Sequence, residues 1–373
     1  MLSLEVVVAG IMLIALTFYA LLGGADFGGG VWDLLARGPR AAAQRALIAA
    51  AIGPIWEANH VWLILVIVIL FTAFPPAFAS IATALHIPLT LMLIGIVLRG
   101  AAFTFRTYDV QRDEVQRRWG RVFAIASVVT PVMLGICVGA IASGRITIED
   151  GVVTSGFVSP WLAPFPLAVG GLALALFAFL AAVYLTVEAG DASSLGGDQG
   201  RTGLQGDFRV RALVAAVAVG GLALAVYGLA GEGAPRIRAG LSVSLWALPL
   251  QIGTGAVALA AIWALWTWRF YLARALAVVQ ATLIVWGWGV AQFPYLVEPD
   301  LTIQGAAAPQ ATLRLLVAAL IAGALLLFPS FYYLFRVFKG ERAFAVLEGR
   351  PGRPSSDGVW RSRVRDRSGT DRG

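Results

Sequence analysis

The sequence predicts an all-α integral membrane protein of nine transmembrane helices, and three observations carry the prediction. Only 13% of the 373 residues are charged and 59% are hydrophobic, where a soluble domain carries about 25% charged residues. Apolar runs of about 20 residues recur along the chain, each long enough to cross a hydrocarbon core of roughly 30 Å. The arginines are concentrated in alternate connections between those runs.

The runs lie near residues 4–24, 47–74, 77–104, 122–143, 160–187, 211–230, 243–268, 272–292 and 311–336. The first, Val6–Leu22, has Glu5 in front of it rather than a basic segment, and no small-x-small site follows, so it reads as a retained helix rather than a signal peptide. The second and third runs are separated only by Pro75–Pro76, which predicts a tight antiparallel hairpin. Arg37, Arg40 and Arg45 follow the first run. Arg106, Arg112, Arg117, Arg118 and Arg121 follow the third, Arg201, Arg209 and Arg211 the fifth, and Arg269 and Arg274 the seventh. The opposite connections hold only Arg145, Arg236 and Arg238. Positive charge is retained in the cytoplasm, so the N-terminus is expected outside and the C-terminus inside. Nine crossings satisfy that parity and eight do not.

Trp119, Trp161, Trp246, Trp263, Trp266, Trp268, Trp286 and Trp288 fall near run ends, as an interfacial aromatic belt requires. The chain therefore divides into a nine-helix region, 1–338, and a tail, 339–373. The tail is rich in Arg, Gly, Pro, Ser and Asp, cannot bury a core, and is expected to be disordered, cytoplasmic and attracted to anionic lipid. The net charge of +7 does not point to nucleic acid, because it follows membrane topology. A single cysteine, Cys137, excludes an internal disulfide and argues against a thiolate metal site.

Polar residues inside the apolar runs are the functional candidates. Glu57 lies roughly 16 Å along its helix, about midway through the hydrocarbon. Placing a carboxylate there costs on the order of 2.5–3.5 kcal/mol on insertion scales, so it requires a partner or a use. It sits in GPIWEANHVW (Gly53–Trp62), where Pro54 bends the helix and Asn59 and His60 follow. Glu57 and His60 are three apart and share a helix face. A carboxylate, an imidazole and a bend that exposes backbone to water form a proton relay. Arg99, in the third run, either snorkels outward or reaches Glu57 to pin two helices together. Asp26 lies in GGADFGGG (Gly23–Gly30) at the end of the first run, a second relay candidate. This glycine-rich segment lacks the Lys-Ser/Thr of a phosphate loop and reads as close packing with a helix stop.

Four segments together, GADFGGG (Gly24–Gly30), GPIWEANHVW (Gly53–Trp62), RGAAFTFR (Arg99–Arg106) and AQFPYLVEPDLTI (Ala291–Ile303), resemble subunit II of the cytochrome bd-type quinol oxidases. The resemblance runs from the first span to the ninth. It implies two four-helix bundles plus one extra helix, in the bacterial cytoplasmic (inner) membrane. It implies a haem-bearing subunit I as partner, with haem b558, haem b595 and haem d on that partner and none on this chain, and it leaves room for a small single-helix subunit. The complex would oxidise quinol and reduce dioxygen to water with protons from the cytoplasm, Glu57 belonging to the proton path and Asp26 matching an acidic position. One branch of the family has Asp and Gln at the positions of Glu57 and His60.

Two other readings compete. A proton-coupled secondary transporter also places carboxylates in the membrane, though it would show broken helices at matching points of two halves. A b-type cytochrome would need His60 and His86, the only histidines, to hold one haem.

Overall fold

The computed structural model describes residues 3–52, 56–108, 113–191 and 197–335. The chain divides into two compact units, Met1–Leu316 and Val317–Gly373. The expected boundary between residues 338 and 339, and the tail beyond it, lie outside the described residues.

The first unit is almost entirely helical. Span one is α1 (Leu4–Phe18), a π-helical turn (Tyr19–Gly23) and α2 (Gly24–Leu34), running without a break. Next come α3 (Ala41–Ile52), α4 (Trp56–Ala73), the short α5 (Pro75–Ala84), α6 (His86–Tyr108) and α7 (Asp113–Ala142). A two-stranded hairpin of β1 (Ile148–Glu149) and β2 (Val152–Val153) precedes α8 (Pro164–Asp191) and α9 (Gly197–Gly233). The chain continues through α10 (Pro235–Val243), α11 (Ala247–Trp266) and α12 (Phe270–Gln292) to a second hairpin, β3 (Tyr295–Val297) with β4 (Leu301–Thr302). The helix α13 (Gln310–Phe335) begins in this unit, and residues 317–335 of it are the described part of the second unit.

Among the described residues, eight helices are long and apolar enough to cross a membrane, or nine if one bent pair counts as a span. The chain is thus a multi-pass, all-α membrane protein. The bent pair is α4 with α5, turned through 118°. This corrects the hairpin expected at Pro75–Pro76. Pro75 and Pro76 occupy the first turn of α5, where the missing N–H groups would have had no helical acceptor, so they start a helix rather than reverse the chain directly. The crossing itself begins at His86, after α5 has ended at Ala84 with Leu85 as its C-cap.

A second correction concerns Gly23–Gly30. The segment is helical, not a loop or a helix stop. Its glycines serve close packing: a Cβ on Gly28 would overlap the Phe177 carbonyl of α8. The apolar α8 is the centre of the unit and packs against α2, α7, α9 and α12. Its residues Leu176–Val183 are nearly all shielded, together with Trp32, Phe123, Phe208 and Ala212. A helix apolar on every side belongs at such a centre. Hydrocarbon gives no hydrophobic drive between helices, so contact depends on small residues and close approach. Gly135 of α7 supplies it, since a Cβ there would sit 2.7 Å from the Gly170 Cα of α8.

Gly135→Val is expected to force α7 off α8 and destabilise the protein by about 1–3 kcal/mol, the usual cost of overpacking. Gly220→Ala, on α9 where a Cβ meets nothing within 4 Å, is expected to be neutral or slightly stabilising. Thermal unfolding of the two variants in detergent measures the difference.

Candidate functional site

Asp26 of α2, Asn59 and His60 of α4 and Arg99 of α6 meet where the π-helical turn joins α2. A π turn leaves a backbone carbonyl without its usual α-helical partner. Here the Asn59 side-chain amide reaches back from α4 to the Leu22 carbonyl at 3.5 Å, and also donates to Asp26 Oδ2 in a short contact. Asn59 and Asp26 are both buried. The widened turn therefore opens the site and sets the angle at which Asp26 enters it.

Arg99 does not snorkel. It is 1% exposed, the largest fully shielded side chain among the described residues. Its Nη2 donates to the Asp26 carbonyl at 2.9 Å and its Nε to Ser127 Oγ at 3.2 Å. Ser127 Oγ in turn donates to the Phe123 carbonyl at 2.7 Å. The guanidinium lies 4.7 Å from the Phe27 ring centre and 5.1 Å from that of Phe123, both inside cation–π range. The Asp26 carboxylate is within its electrostatic reach. Arginine suits this place because its flat, weakly hydrated cation can donate along its edge while its faces contact aromatic rings.

His60 is half-buried, with its ring centre 6.1 Å from that of Tyr19 and 5.9 Å from that of Phe27. Glu57 lies on α4, one turn before these residues, but its side chain falls outside the described residues, as do Gly53–Ile55 with the expected Pro54 bend.

Three contributors were not picked out from the sequence: Tyr19, Ser127 and the π-helical turn. Tyr19 is 1% exposed and its hydroxyl has no hydrogen-bond partner among the described residues, an orphaned donor beside His60. Its seven-residue spacing from Asp26 was the available signal, since two helical turns return to the same face. Ser127 carried no signal, because a serine on an apolar helix ordinarily bonds back to its own backbone.

The two histidines do not form a haem-ligand pair. His86 is the first residue of α6, exposed, with Nδ1 2.9 Å from the Thr83 carbonyl and its ring edge-on to Phe157. His60 lies thirteen residues from the end of α4 that leads to α5, roughly 20 Å at helical rise. Their depths differ because α5 is a separate helix, where the sequence reading had continued span three through it. No group of three or more His, Cys, Asp or Glu gathers as a metal site among the described residues.

The buried network can hold a carboxylate and a guanidinium in hydrocarbon while leaving a phenol and an imidazole beside them. Such an arrangement can exchange protons. Residues 4–338 match the family model described as cytochrome bd terminal oxidase subunit II. A similar curated protein is the putative cytochrome bd menaquinol oxidase subunit II of Bacillus subtilis (strain 168), 22% identical over 88% of this chain and 94% of its own length. Cytochrome bd-I ubiquinol oxidase subunit 2 of Escherichia coli (strain K12) is 25% identical over 39% of each chain. Among solved structures, the bd oxidase from Geobacillus thermodenitrificans shares the fold, with a TM-score of 0.70 and 22% identity over 91% of this chain and 99% of that one. These similarities do not favour the transporter reading.

Arg99→Leu is expected to cost about 3–5 kcal/mol, because it leaves a buried carboxylate without its cation. Arg99→Lys is expected to cost less. It keeps the charge but cannot reproduce the fork or the two ring contacts. Unfolding midpoints in detergent, with Ser127→Ala as the milder comparison, give the order.

Proposed function

This chain belongs to the cytochrome bd terminal oxidase subunit II family, and from that premise we propose that it is the haem-free subunit of a quinol oxidase of the bacterial cytoplasmic membrane. The family makes it part of a respiratory oxidoreductase complex with a subunit I partner. In our reading the partner holds haem b558, haem b595 and haem d, oxidises quinol and reduces dioxygen to water. This chain braces the partner and brings it protons. The arrangement as two four-helix bundles plus one helix, with the N-terminus outside and the C-terminus cytoplasmic, belongs to the same proposal.

The observation that carries the proton path is the buried meeting of Asp26, Asn59 and Arg99 at an orphaned phenol. An ionisable cluster held in hydrocarbon is a functional site by default. Protons enter from the arginine-rich end, near the C-terminal end of α2, and reach Asp26. Asn59 orients that carboxylate by donating to it, and Arg99 keeps an ionised form tolerable in the membrane. Glu57 and His60, one turn apart on α4, hand the proton towards the partner. The haems supply the electron chemistry when the partner is bound. Every residue on this side acts on protons and position.

Co-purification of the tagged chain is expected to bring down a haem-bearing membrane partner, and the pair is expected to show quinol-dependent oxygen uptake. The chain expressed alone is expected to give no pyridine haemochrome. A haemochrome from the isolated chain overturns the haem-free assignment, and substrate uptake into liposomes by the chain alone would favour a transporter.

Glu57→Gln and Asp26→Asn are each expected to lower oxygen uptake by about 100-fold, the lower range for loss of a proton-transferring group, with the haem spectrum of the complex unchanged. Normal turnover in a fully assembled Glu57→Gln complex leaves only the helix-pinning role.

A further inference from the structure

At the end of the unit opposite the tip of α2, the segment joining α12 to α13 buries a carboxyl group that the proton path does not use. Glu298 follows β3 and is 4% exposed, with Oε1 shielded and without a hydrogen-bond partner among the described residues. Its backbone N–H is spent on the Ile141 carbonyl of α7 at 3.2 Å, which fixes the residue against the bundle. The neighbouring Val297 is fully shielded in a cluster with Ile81, Leu85, Cys137 and Ile146. Six residues earlier, Gln292 is 5% exposed and neither polar atom of its amide has a partner among the described residues. Unpaired polar atoms in such a place call for water or a proton.

The charges around this carboxyl are few. Arg236 of α10 is the cation within electrostatic reach, and its guanidinium stands 4.3 Å from the Tyr295 ring centre. Arg238, on the same helix, is engaged by the Tyr227 ring and carbonyl. Asp300, on the same hairpin, accepts the Ile148 N–H at 2.8 Å. α5 contributes no charged side chain, and the charged residues of α7 (Asp113, Glu114, Arg117, Arg118 and Arg121) lie at its opposite end, so near Ile141 its titratable group is the buried thiol of Cys137. Arg145, Glu149 and Asp150 are exposed in and beside the first hairpin.

We infer that Glu298 is a proton-binding site of the β3–β4 hairpin: protonated while the hairpin is docked on α5 and α7, ionised when the segment lifts and the carboxylate turns to water and Arg236. Burial is the dominant influence and raises its pKa from 4.5 to about 7, with Arg236 pulling the other way. In the lifted segment the group returns to the ordinary carboxylate range. The raised pKa belongs to the docked form, so docking is fully supported below about pH 4.5, weakens as pH climbs, and levels off above about pH 7. From those two limits the opening equilibrium grows about tenfold between pH 6 and 8.

The test is made on the purified, membrane-reconstituted complex. Infrared difference spectra across a pH titration are expected to show one protonated-carboxyl band that fades with a midpoint near neutrality and is absent in Glu298→Gln. A spectrum in which Glu298→Gln removes no such band overturns the proposal. Hydrogen exchange of residues 293–309, corrected for the intrinsic pH dependence of amides, gives a second reading on the unmodified protein. It is expected to rise about tenfold from pH 6 to 8, and a flat corrected profile overturns the proposal even if the variant fails to assemble.

Discussion

A guanidinium removed from water in the middle of a membrane protein sets the terms for everything packed around it. Arg99 cannot be left as a bare cation among apolar side chains, because desolvation of a charge is tolerated only when its donors find acceptors. The structure meets that requirement from two neighbouring helices at once. α2 gives a carbonyl and a carboxylate, α7 gives Ser127, and Phe27 and Phe123 supply ring faces. The close approach of α2 to α7 and α8 thus serves the charge as well as the packing. A Cβ on Gly30 would overlap Ser127 and one on Gly28 the Phe177 carbonyl, so that approach needs the small residues of α2.

Much of this was legible in the residues. Apolar runs and arginine asymmetry yield the crossings to within several residues, because length and polarity are nearly all that a bilayer reads. Asp26, Asn59, His60 and Arg99 were visible for the same reason: a polar side chain in hydrocarbon is conspicuous. Their convergence was not visible, since it depends on how helices 37 and 73 residues apart in sequence come to share one depth. The glycines of GGADFGGG were read as ending a helix because glycine weakens helices in water. In a membrane the backbone has no solvent to turn to, and the same glycines admit a neighbouring helix. The two prolines at 75 and 76 misled in a similar way, since a reversal and the first turn of a helix are equally suited to them.

The two ends of the first unit are built differently. At one, polar side chains reach each other across helices: Arg40 pairs with Asp207 at 2.5 Å, and Gln44 accepts from Arg211 at 2.7 Å while donating to Asp207. At the other, short helices and two small hairpins cover the bundle, and backbone groups make many of the connections, as where the Ala308 N–H meets the Ala73 carbonyl at 2.8 Å. An end held by charged side chains tolerates wetting, because its partners are already hydrated at their edges. An end held by backbone contacts over an apolar cluster depends on staying dry. The proton proposed to reach the Asp26 cluster therefore starts where the molecule is already polar.

The π-helical turn in span one amounts to one extra residue wound into an otherwise ordinary rod. Removing one residue there would restore plain α geometry and swing the fifteen residues of α1 by about 100° relative to Asp26. Thr17 would leave the Trp286 indole that donates to it at 3.2 Å, and Glu5 would leave Gln310. The helix thus carries two azimuthal settings in one span, one serving its outer contacts and one aiming the carboxylate. A relative whose first helix is a residue shorter before the acidic position would have to give up one setting, so chain length in that stretch tells which relatives can still aim it.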